Sequence, residues 1–81
     1  MKIKSVMKMK TKIRELRKQR RISQDELAKA LHVTRHTITS IENEKYIASL
    51  PLAYKISKFF GMPIEEIFDF SDVGDIDYEI F

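Results

Sequence analysis

Apolar residues recur at helical spacing through the middle of the chain. Ile13 and Leu16 lie three apart in a Lys/Arg-rich stretch beginning near Thr11. Leu27, Ala28 and Leu31 follow i, i+1, i+4, and Ile38 and Ile41 follow i, i+3. Leu52, Ala53, Ile56, Phe59 and Phe60 form one broad stripe, and Ile64, Ile67 and Phe68 close the series. Each set places its apolar side chains on one face of a helix, so the pattern predicts five short helices. The punctuation agrees. Ser23 with Glu26 reads as a capping box, with Asp25 and Glu26 on the positive end of the helix. Thr34 and Ser49 are N-cap residues, and Pro51 sits in a first turn, where its missing N–H costs little. Gly61 ends the fourth helix because it takes positive φ without strain, and Pro63 opens the fifth. The economical fold is one all-α domain over residues 11–69, with a basic arm at 1–10 and an acidic tail at 70–81.

The ends follow a different period. Gly74–Ile80 alternates Ile76, Tyr78 and Ile80 with Asp75, Asp77 and Glu79, and Met1–Lys4 and Met7–Lys10 alternate lysines with apolar residues. That is strand spacing, and opposite charges across paired strands attract. The pattern therefore allows a small two-stranded sheet joining the termini, within one chain or exchanged across a dimer. In a functional version, the basic arm reaches a polyanionic partner and the acidic tail competes with that partner for it.

Length and composition narrow the function. The chain has 81 residues, no cysteine and a net charge of +3. Disulfides, Cys-based zinc fingers and cysteine nucleophiles are excluded. No apolar run approaches the roughly 20 residues that span a bilayer, and the basic start lacks a signal peptide's apolar stretch, so a cytoplasmic location is expected. The charge is unevenly spread: residues 1–21 carry +9, residues 22–58 carry +1, and residues 59–81 carry −7. A basic front favours a polyanionic partner.

The most informative segment is Ser23–Asn43. Leu27, Leu31, Val33, Ile38 and Ile41 supply a seam between two short crossed helices, and Ala28 permits their close approach. The outer face of the second helix is then Arg35, His36, Thr39, Ser40 and Asn43. All are hydrogen-bonding residues and none is acidic. Such a face suits a DNA major groove, where Arg reads guanine edges and the Thr methyl meets thymine. Blander readings compete. The face could be merely solvated. His36 has no partner at a spacing that suggests a catalytic base, and His32 and His36 fall on a turn and a helix, which spoils a shared metal face. Phe59, Phe60 and Phe68 fit core packing better than a ligand box. Nothing assembles an active site, and no cofactor, metal or small-molecule ligand is implied.

These residues resemble the helix-turn-helix of phage-repressor/Cro-type (Xre family) regulators. The likeness runs through Ile13-Arg-Glu-Leu-Arg17, Ile22-Ser-Gln24, Leu27-Ala28, Val33-Thr-Arg35, Ile38-Thr39, Ile41-Glu-Asn43, Lys58-x-x-Gly61 and Ile64-Glu-Glu-Ile-Phe68. It implies a five-helix, lambda-repressor-like DNA-binding fold. It further implies that Gln24 touches a phosphate, that Arg35, His36 and Ser40 face base edges with Thr34 and Thr37 at the margin, and that Asn43 and Lys45 reach the DNA backbone. Arg17 and Glu42 would form a structural salt bridge. The fourth helix and its approaches would contribute to a dimer surface. The chain departs from the pattern at His32 and Glu44, where glycine is usual, and at Ala48, where proline is usual. Glu44 also places negative charge near DNA phosphates. The implied function is a sequence-specific DNA-binding transcriptional regulator, a repressor binding a palindrome as a homodimer. The alternative is a protein-interaction module on the same scaffold, an antitoxin or bridging factor that uses the acidic tail.

Overall fold

The computed structural model describes residues 9–71. Five helices follow in chain order: α1 (Ile13–Gln19), α2 (Gln24–Leu31), α3 (Arg35–Glu42), α4 (Leu50–Phe60) and α5 (Ile64–Ile67). The fold is all-α, as the periodicity predicts. Among the described residues there is no sheet, only a single antiparallel bridge between Thr11 and Phe68. Two hydrogen bonds flank it, from Lys12 N to the Ile67 carbonyl and from Asp69 N to the Lys10 carbonyl, each 2.9 Å. The terminal sheet that the alternating segments allow falls on residues 1–10 and 74–80. Apart from Met9 and Lys10, these lie outside the described residues.

The helices begin where the caps place them. Ser23 Oγ accepts from Glu26 N at 3.0 Å, and a Glu26 carboxylate oxygen accepts from Ser23 N at 2.8 Å. Both orphan donors are thereby satisfied, an arrangement that contributes about 1 kcal/mol. Thr34 and Ser49 likewise accept from Thr37 N and Leu52 N.

The helix exits share one device. Arg21, His32, Glu44 and Gly61 follow α1 to α4 in turn, and all have left-handed φ, between 57° and 66°. After each, the next residue's N–H bonds back five positions: Ile22 to Arg17, Val33 to Ala28, Lys45 to Ser40 and Met62 to Ser57. These bonds satisfy carbonyls that a helix end otherwise leaves open. Only Gly61 takes this conformation without strain. The other three oppose a side-chain cost of roughly 1–2 kcal/mol each.

The apolar stripes converge on one core. Ile13, Leu27, Ile38, Ile41, Ile56 and Ile67 are almost wholly removed from solvent. Ala28 is buried as well, where α2 packs against α3. α2 also meets α4, and α4 carries α5. Phe60 and Phe68 belong to the core, and Phe59 packs half-buried against it. Arg20 closes the end of α4, donating to the Phe59 and Phe60 carbonyls at 2.9 and 3.0 Å, with its guanidinium over both rings.

Candidate nucleic-acid interface

The core holds α3 by its inner face. Ile38, Ile41 and Glu42 are its buried residues. Glu42 lies on the inner side, so the helix's only carboxylate is kept off the outer surface. Its side chain has no solvent exposure and is the hub of a polar cluster. Arg17 grips it twice, Nε to Oε2 at 2.8 Å and Nη2 to Oε1 at 3.2 Å. Gln24 Nε2 donates to Oε1 at 3.0 Å, and Arg14 Nε approaches the same oxygen at 3.4 Å. Burial alone would raise the carboxyl's pKa, but the hydrogen bonds from Arg17, Gln24 and Arg14 outweigh it and hold Glu42 below the usual carboxylate range. The hydrogen bond to Glu42 raises the Arg17 pKa in turn. Arg17 also donates to the Ile22 carbonyl at 3.1 Å, so the group that fixes α3 also fixes the entry to α2.

The cluster extends toward the outer surface through three side chains. Thr39 Oγ1 lies 3.2 Å from Gln24 Oε1 and 3.1 Å from the Arg35 carbonyl, two acceptors for its single proton. Gln24 keeps one amide N–H uncommitted. Asn43 Oδ1 accepts from Arg14 Nη2 at 2.8 Å, and the Asn43 side-chain N–H groups make no hydrogen bond among the described residues. Gln24, Thr39 and Asn43 are therefore held in place before any ligand arrives.

The outer row is different. Arg35 and His36 are exposed and Ser40 is half-buried. Ser40 Oγ meets His36 Nε2 at 3.4 Å, one helical turn apart. Thr34 caps α3, and its hydroxyl pairs with that of Thr37 at 3.0 Å. Lys45 is exposed, just beyond the left-handed turn at Glu44. Arg35 and Lys45 form no ion pair among the described residues. His32 holds the turn between α2 and α3 in the left-handed region, at φ 59°. Arg35, His36, Ser40 and Lys45 thus share one surface beside the prepositioned Gln24, Thr39 and Asn43.

Sequence reasoning missed two members of this surface. Arg14 was not singled out, though it stands one turn before Arg17 on α1 and contacts both Glu42 and Asn43. Tyr46 was also passed over; with His36, Thr37, Ser40 and Lys45 it lines a cleft of about 350 Å³.

Comparison with known proteins agrees with this architecture. Residues 13–67 match the helix-turn-helix family model, a span running from the first residue of α1 to the last of α5. An uncharacterized HTH-type transcriptional regulator of Methanocaldococcus jannaschii is 50% identical over 64 residues, covering 79% of this chain and 97% of that protein. A second, from Bacillus subtilis, is 45% identical over 60 residues, covering 74% of this chain and 91% of its own length. The cryptic phage CTXphi transcriptional repressor RstR of Vibrio cholerae is 34% identical over 64 residues, covering 79% of this chain and 58% of the repressor. With its closely packed α2–α3 pair, its buried Glu42 hub and a match across all five helices, the chain belongs to the helix-turn-helix family of transcriptional regulators, of the phage-repressor type its motif resembles.

Proposed function

We propose that this protein is a sequence-specific DNA-binding regulator that represses transcription in the cytoplasm by occupying a palindromic operator as a homodimer. One observation carries the reading: α3 buries its only acid and turns outward an acid-free row of Arg35, His36 and Ser40. A helix of that kind fits the major groove, with its hydrogen-bonding groups on base edges. Arg35, His36 and Ser40 read bases, with Thr34, Thr37 and Thr39 at the margins. Gln24 (through its uncommitted amide N–H), Asn43 and Lys45 hold phosphates, which set register without carrying sequence.

The dimer reading has separate support. Ile47, Leu50 and Phe70 are exposed large apolar residues that line one groove, and Leu50 is 77% exposed. Apolar surface gathered on one approach marks an interaction site more often than a solvated face. A two-fold dimer would place its reading helices on half-sites about 34 Å apart. The repressor sense draws on the likeness to the transcriptional repressor RstR.

The test is selection of bound duplexes from a random pool, followed by binding at several salt concentrations. A palindromic consensus, with affinity falling steeply as salt rises through counterion release, supports the reading. No enrichment, or salt-insensitive association with protein partners alone, would overturn it in favour of an interaction module.

A further inference from the structure

The loop after α3 returns a further side chain to the DNA-facing surface. Glu44 takes left-handed φ and Lys45 N bonds to the Ser40 carbonyl at 2.9 Å, so the chain folds back along the helix it has just left. Tyr46 then lines the 350 Å³ cleft together with His36, Thr37, Ser40 and Lys45. The residue is 46% exposed and takes no part in the core. The adjacent Ile47 belongs elsewhere. It lines a separate apolar groove with Met9, Leu50, Phe68 and Phe70. Consecutive residues of one loop thus serve two surfaces, and Tyr46 goes with the helix that reads DNA.

The cleft combines a phenol ring, an ammonium group, two aliphatic hydroxyls and an imidazole. A nucleotide presents the matching set: a sugar with an apolar face, a phosphate and a hydrogen-bonding base edge. We propose that Tyr46 is a DNA-contacting residue and that one nucleotide of the half-site seats in this cleft. Its deoxyribose packs on the Tyr46 ring, its phosphate meets Lys45, and its base edge turns toward His36 and Ser40. The inference rests on the DNA-binding reading above and adds a contact residue to it.

The test compares the parent with Tyr46→Ala and Tyr46→Phe on the parent's selected duplex, by fluorescence anisotropy and hydroxyl-radical footprinting. Hydroxyl radicals attack exposed deoxyribose, so the footprint reports directly on sugar burial. Tyr46→Ala should weaken binding roughly tenfold, the scale of one good contact. It should also expose one sugar per half-site, while Tyr46→Phe keeps parent-like affinity and protection. Unchanged affinity in Tyr46→Ala would overturn the proposal. So would a weakened complex with an unaltered footprint, which would mean the ring acts only on loop position. Tyr46→Phe as weak as Tyr46→Ala would overturn the packing role of the ring. A parent that binds no duplex overturns the DNA-binding reading itself. A parent that binds and is weakened by Arg35→Ala but not by Tyr46→Ala overturns this inference alone.

Discussion

The inner and outer polar sets of α3 are built from similar residues and meet opposite fates. Behind the helix, two arginines and a glutamine close around Glu42 until both of its oxygens have partners. In front, an arginine, a histidine, a serine and a lysine stand largely in solvent. The closed set is rigid because an unpaired buried charge is too costly to tolerate. The open set keeps its hydrogen-bonding capacity for a partner. A reading surface gains specificity when its supports are locked and its contacts are free. Gln24, Thr39 and Asn43 sit on the boundary, with one side in each set.

Removing the hub should break this division most severely. Glu42→Ala leaves Arg17 largely buried without its anion and should cost about 3–5 kcal/mol of stability. For a domain of this size that lowers the melting temperature by more than about 10 °C. Thermal unfolding followed by circular dichroism measures it, and a variant melting within a degree or two of the parent would refute a stabilising hub.

Arg35→Ala addresses the other set. It should leave the melting temperature unchanged while weakening specific binding by roughly 1–3 kcal/mol and relaxing one base position. Titration of the selected duplex and its single-base variants checks this. A uniform loss on every duplex would reassign Arg35 to phosphate.

Acid should loosen the closed set. The Glu42 carboxyl has a lowered pKa in the folded state, so on descending pH the unfolded chain takes up its proton first. The hub's contribution is therefore fully present above the ordinary glutamate pKa, and it is lost as pH falls through the lower folded value. Glu42→Gln should flatten this acid limb of the stability curve, as read from denaturant midpoints between neutral pH and about pH 3. An equally steep limb in the variant would place the acid sensitivity elsewhere.

The smallest effect lies at the junction of the two sets. Glu44→Gly relieves a left-handed residue and should stabilise the domain by about 1 kcal/mol. Loss of its negative charge should also tighten non-specific DNA binding at low salt. A destabilised variant would show that the Glu44 side chain holds the turn.

The chain's legibility followed the reach of each interaction. Ser23, Thr34, Ser49 and Gly61 were readable because a cap is written within a few residues of the helix end it serves. The left-handed turn at His32 was readable only from the family pattern, which has glycine at that position. Glu44 and Ala48 stood out only against the family pattern. Arg14 escaped notice because its partners, Glu42 and Asn43, lie 28 and 29 residues away. Arg20 reaches 39 and 40 residues to the carbonyls of α4. Periodicity cannot report which basic residue of a lysine- and arginine-rich helix finds a distant acceptor. Tyr46 was hidden differently, since nothing local distinguishes an aromatic that returns to its own helix from one that faces away. Arg21 carries no sequence mark of its positive φ, because the turn is imposed by the helix exit and not by the side chain.

The bridge between Thr11 and Phe68 makes the domain a closed circuit in all but covalent bonding. The backbone at Lys10 and the backbone at Asp69 are already hydrogen-bonded neighbours, so a short linker there would join them with little loss of loop entropy. A circular permutant that opens the turn between α4 and α5 would leave the order from α1 through α4 intact. Because the backbone at Lys10 adjoins that at Asp69, the unpermuted domain could equally be inserted whole into a loop of another protein.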